Sequence, residues 1–155
     1  MQNPMPVTAL THTEPPWRTR LVTRYLPTAA RILLGAFMLM FGLMGLLGLA
    51  PAPPADLPAA AIAFNTGMAQ TGYMFPLLAG TQALTGAMLL TNRWVPLALT
   101  LLAPFIVNSL AFHLFLVPAG LPAIVLVLLL ELYLAWTYRA AYRSMLALRV
   151  APYAA

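Results

Sequence analysis

The stretch WVPLALTLLAPFIVNSLAFHLFLVPAGLPAIVLVLLLE, residues 94–131, decides the fold, because no charged residue occurs from Trp94 to Leu130. A helix needs only about 20 apolar residues to cross the hydrocarbon core of a bilayer, so a run of this length reads as two membrane helices with a break between them. The break is Pro118-Ala119-Gly120-Leu121-Pro122, a tight connection. Spans are expected on its two sides, over about 95–116 and 121–138. Pro96 falls in the first turn of the earlier span, where its missing N–H matters least. Pro104 is interior and is expected to kink that helix or free a carbonyl.

Working outward, residues 32–55 and 57–92 also lack Asp, Glu, Lys and Arg. A span is expected over 30–49, between Arg31 and the stop Pro51-Ala52-Pro53-Pro54. It carries Gly35, Gly42, Gly45 and Gly48; Gly35 and Gly42, seven apart on one face, mark a seam where another helix can come close. A further span is expected over 73–90, with Ala79, Ala83 and Ala87 forming a second ridge of small residues. Between these two, Ala59–Gln70 is short and moderately polar, and reads as an interfacial helix tucked over the bundle; a partly re-entrant segment is the alternative. Gly67 and Gly72 would permit its turn into the next span.

The expected class is therefore an all-α integral membrane protein. It is a bundle of four transmembrane helices with a short interfacial helix between spans one and two, occupying residues 29–145. A flexible tail, 1–28, whose first part Met1–Pro16 is Pro/Thr-rich, is expected to precede it and a short tail, 146–155, to follow. Only 7% of the residues are charged and the mean hydropathy is +0.85, whereas soluble domains run nearer 25% charged.

All eight basic residues are arginine. Arg18, Arg20, Arg24 and Arg31 precede span one, Arg93 joins spans two and three, and Arg139, Arg143 and Arg149 follow span four. An even number of spans puts these groups on one side, and the opposite loops carry only Asp56. The positive-inside rule then places both termini in the cytoplasm. The net charge of +5 needs no nucleic acid to explain it, because arginines flanking spans match anionic headgroups. Residues 1–28 do not resemble a cleaved signal peptide. With no cysteine, the chain has no disulfide, thiolate or iron–sulfur chemistry of its own. The nine methionines lack a repeated metal-binding spacing and read as gap fillers. No metal site is expected, since His113 has no second histidine at ligand spacing and His12 lies in the tail.

Few polar groups interrupt the apolar segments, and function must be sought among them. Glu131 sits in mid-span, where a charge costs several kcal/mol unless paired, neutralised or hydrated, so it is expected to face inward. Either it is a neutral acid bonded to a neighbouring helix, or it handles a ligand or protons. Counting equally back from a turn centred near 119–120 puts Asn108 level with Glu131 as its hydrogen-bond partner. Ser109 can bond its own helix and is set aside. His113, about 140° around the helix from Asn108, could bond a ligand or relay protons; the plainer alternative is a packing residue near the helix end. Gln82, with Thr85 three residues on, is expected to look into the bundle, and Asn65, Gln70 and Tyr73 to line an outward mouth above it.

The ordered set of motifs over roughly residues 30–145 resembles the DoxX family of small bacterial four-span membrane proteins. It comprises Arg31-Ile32-Leu33-Leu34-Gly35, Phe41-Gly42-Leu43-Met44-Gly45, Gly80-x-Gln82-x-x-Thr85-Gly86-x-x-Leu89 and Asn92-Arg93-Trp94-Val95-Pro96. The most distinctive part is Ala103-Pro104-x-x-x-Asn108-x-x-x-Phe112-His113-Leu114-Phe115, followed by Gly120-Leu121-Pro122 and Glu131. The resemblance implies an inner-membrane protein; some members are linked to quinone-dependent sulfur oxidation or to oxidative-stress complexes. Relatives often carry Glu where this chain has Gln82, which removes one carboxylate here. The leading expectation is a redox-linked accessory subunit that binds quinone or another small amphipathic molecule through Gln82, Asn108, His113 and Glu131. It would sit among membrane lipids as a homodimer or in a respiratory complex. A small-solute or proton-coupled transporter, and a structural or assembly protein, are the other two classes.

Overall fold

The computed structural model describes residues 25–143, and every element among them is helical. Helix α1 is Leu26–Leu46, α2 is Ala59–Gln70, α3 is Met74–Leu90, α4 is Val95–Phe115 and α5 is Leu121–Thr137. A 3-10 turn, Pro118–Gly120, joins α4 to α5, and another, Arg139–Tyr142, follows α5. The expected tails fall almost wholly outside the described residues, although α1 begins at Leu26, inside the segment assigned to the N-terminal tail.

Local chemistry explains where the helices begin and end. Pro27 stands in the first turn of α1, which starts the helix earlier than Arg31. Its end comes before the proline stop. Gly48 takes φ +68°, so that the Leu49 N–H reaches back to the Met44 carbonyl at 2.8 Å and the Gly48 N–H to Gly45 at 3.4 Å. These two bonds are the Schellman arrangement that closes a helix. Helix α3 closes the same way with Asn92 at φ +56°: the Arg93 N–H bonds to Met88 at 3.0 Å and the Asn92 N–H to Leu89 at 3.2 Å. Asparagine is one of the few residues that visits this left-handed region routinely. Gly72, at φ +73°, supplies the corner between α2 and α3, while Gly67 stays inside α2. Helix α4 runs on through Pro104, whose ring deprives the Thr100 carbonyl of its intrahelical partner.

Helices α1 and α3 form the tightest pair. A Cβ on Gly42 would stand 2.7 Å from the Ala79 carbonyl oxygen and closer still to the Ala83 amide. One on Gly86 would stand 2.8 Å from the Gly35 carbonyl oxygen. Two backbones touch here with no side chain between them, which is how small residues bring membrane helices together. Leu34, Met38, Leu89, Leu99, Leu102, Ile106 and Leu134 are fully or almost fully buried where α1, α3, α4 and α5 meet. Large apolar side chains, among them Leu33, Leu84, Val107 and Leu129, project outward from the same helices.

Three helical segments, Leu26–Leu46, Val95–Phe115 and Pro118–Thr137, are long and apolar enough to cross a membrane. The count is four if α2 and α3, bent by 88° at their junction, are taken as one broken span.

Candidate functional site: a polar-edged cavity beneath helix α2

Two neighbouring hollows lie between α1, α3 and α4. The larger, about 470 Å³, extends under α2; the smaller, about 320 Å³, runs toward α5. They share Phe41, Gln82, Phe105, Ser109 and His113, so these side chains stand at their junction. Aromatic walls hold the space open. Phe64 of α2 meets Phe112 of α4 with ring centroids 5.4 Å apart, and Ala61, one turn earlier, is fully buried. Helix α2 is thereby fastened over the larger hollow by its apolar face, and Asn65 lines the space beneath it.

Each polar residue singled out above has a definite place. Gln82 and His113 are half-buried and line both hollows. Asn65 and Asn108 line the larger one, Asn108 from an exposed edge. Gln70 and Tyr73 are exposed and line neither. Thr85 is fully buried, with its hydroxyl donating to the Thr81 carbonyl at 2.7 Å, so its proton is held within its own helix. Ser109, set aside on sequence grounds, lines both hollows. Its signal was present: Phe105, Ser109 and His113 recur every four residues and form one stripe of α4.

His113 is the most constrained of these groups. Its ring lies against Gly120, where a Cβ would overlap the Nδ1–Cε1 edge. Nδ1 lies 3.2 Å from the Val117 carbonyl oxygen, and the ring meets Phe112 edge-on at 5.4 Å. The residue is thus both the clasp of the α4–α5 turn and a wall of the cavity.

Glu131 lies elsewhere. It is buried, at 6% exposure, and lines a third hollow of about 300 Å³ between α4 and α5 with Ala103, Val107, Thr100 and Tyr142. Among the described residues no hydrogen bond or ion pair reaches its carboxyl, and Asn108 is not its partner. Helix α4 stops at Phe115 and a 3-10 turn begins at Pro118, so the connection is centred earlier than 119–120 and the register slips toward the start of α4. The Tyr142 hydroxyl donates to the Pro96 carbonyl at 2.9 Å. Burial pushes this phenol above its ordinary range; a hydrogen bond with Thr100 pulls it back, and the Glu131 charge adds to the rise.

Arg31 is the polar residue that sequence reasoning placed correctly in the chain but not in its role. It is buried, and its Nη1 donates to the Leu89 carbonyl and, at 3.2 Å, to the Leu90 carbonyl. These carbonyls end α3, the Leu89 oxygen already accepting from the Asn92 N–H, and a cation there meets the negative end of the helix dipole.

Among the described residues no three His, Asp or Glu side chains converge as metal ligands would. The cavity therefore offers hydrogen bonds, aromatic surface and room for an apolar body. No family model matches the chain, and no curated protein or solved structure matches it either. The described residues form an all-helical fold with three to four segments fit to cross a membrane and a partly open, aromatic-walled cavity.

Proposed function

We propose that this chain is a DoxX-like protein of the bacterial inner membrane, with four spans and both termini in the cytoplasm. In this reading α3 is the short second span and α2 lies in the outer interface. At 1.5 Å per residue α3 is about 26 Å long, slightly under the ~30 Å hydrocarbon core, which local thinning accommodates. Its role is that of an accessory subunit of a redox complex, holding a quinone or a similarly small amphipathic molecule beneath α2.

The observation that carries this reading is the cavity around Gln82 and His113. Ligand sites are mostly apolar hollows with a few polar groups, and this one joins phenylalanine walls to an amide, a hydroxyl and an imidazole. A proton-coupled transporter built on one carboxylate would need that carboxylate in the ligand's path. Glu131 lines a separate hollow, which favours binding over coupled transport.

The test is purification in mild detergent from native membranes, with mass spectrometry of what travels with the protein. A quinone should co-purify with the wild type and be depleted in Gln82→Ala at equal folded yield. Absence of any amphipathic molecule in the wild type, together with solute flux in liposomes, would refute the binding role.

A further inference from the structure

The geometry of His113 says more about the ligand than the cavity's shape does. A backbone carbonyl only accepts hydrogen bonds, so the 3.2 Å contact with Val117 requires Nδ1 to carry the proton. A neutral imidazole has one N–H, and with Nδ1 as donor Nε2 is a bare acceptor. The Nδ1–Cε1 edge is covered by Gly120 and the turn, which leaves the opposite, Nε2–Cδ2 side as the part of the ring available to a ligand in the hollows that His113 lines.

We infer that His113 is a hydrogen-bond acceptor in this site, and that the site selects a ligand hydroxyl, such as that of a phenol or a reduced quinone, over a bare carbonyl. This rests on the amphiphile-binding reading above. A carbonyl oxygen facing Nε2 would set two acceptors against each other, whereas a hydroxyl donates to Nε2 and leaves its own oxygen for the Gln82 amide. Gly120 is part of the device, because any side chain there would push the ring off the turn and release Nδ1.

The test uses two probes of one shape, 4-decylphenol and its methyl ether 4-decylanisole, with the full chain in phosphatidylethanolamine/phosphatidylglycerol nanodiscs at pH 8. The phenol should bind about tenfold more tightly than the ether, since the bound ether would shield the acceptor from water without pairing it. In His113→Phe, which keeps a flat ring against Gly120, that preference should vanish while the ether's affinity changes little. Equal binding of the two probes to the wild type overturns the inference and leaves the amphiphile site standing; failure of both probes to bind overturns both. A ligand-free measurement stands beside this one. With only two histidines in the chain, His12→Ala leaves His113 as the sole reporter for nitrogen-15 NMR. The expected result is a protonated Nδ1 and a bare Nε2, and the opposite tautomer refutes the inference.

Discussion

The α1–α3 seam and the cavity beside it are built from the same apolar alphabet and reach opposite results. Along the seam, Gly42 and Gly86 let two backbones meet, and nothing larger than a hydrogen atom fits at either crossing. A turn away, Phe41, Phe105 and Phe112 stand between helices and leave hollows instead of filling them. Side-chain size at helix crossings therefore decides which part of this bundle is scaffold and which part is site. At Gly42 and Gly86 the two backbones are in contact, and beside Phe41, Phe105 and Phe112 a ligand-sized space remains.

The difference can be broken most forcefully at the seam. Gly42→Ala should destabilise the protein by about 1–3 kcal/mol, the ordinary cost of overpacking. Gly42→Leu should abolish the folded, monodisperse species, because the obstructing atoms are backbone and cannot swing aside. Thermal unfolding followed by size-exclusion chromatography checks both; a Gly42→Leu protein as stable as wild type would show that the seam does not carry the fold.

Next in size is Arg31→Met, which strips the α3 terminus of charge-assisted bonds from a buried position. A loss of about 1.5–3 kcal/mol is expected, read by denaturant or detergent titration, with Arg31→Lys recovering part of it. The cavity side should respond in the opposite sense. Ser109→Leu adds bulk where both hollows meet, so probe binding should be lost while stability stays within about 1 kcal/mol of wild type.

Glu131→Gln sharpens the contrast from the third hollow. Because Glu131 lines neither of the two neighbouring hollows, binding of 4-decylphenol should remain within about twofold of wild type. A large loss would join the sites that the geometry separates. The smallest effect is at Tyr142. Its ionisation is held above the ordinary tyrosine range in the folded chain, so the stability it contributes is complete below about pH 10 and is lost as pH rises through the folded value. Tyr142→Phe should flatten the alkaline limb of a pH–stability profile and leave its neutral part almost unchanged.

Much of this fold was legible without coordinates. A chain surrounded by lipid must keep long segments free of charge, so the helices announced themselves, and all four expected segments are helical within a few residues of their expected ends. The small residues at Gly35, Gly42, Ala79 and Ala83 likewise pointed to the seam they form. The exact ends were less legible, since a proline run and a left-handed Gly48 compete to stop α1 and only the hydrogen bonds decide between them. The candidate site was half legible. Gln82, Asn65, Asn108 and His113 do come to one cavity, but its phenylalanine walls hid among many other apolar residues.

Sequence alone determined that the chain is a set of apolar helices, and which pairs of small residues could let two of them touch. Both follow from rules that act within a segment: the solvation of charge and the bulk of a side chain. Only the tertiary structure decided that Arg31 caps α3, that Glu131 and His113 belong to different hollows, and that the His113 ring is clasped against Gly120. Those outcomes depend on the register between helices, and a connection shifted by a residue or two moves a side chain around or along its neighbour. No local pattern encodes that shift; it is settled by all the contacts at once.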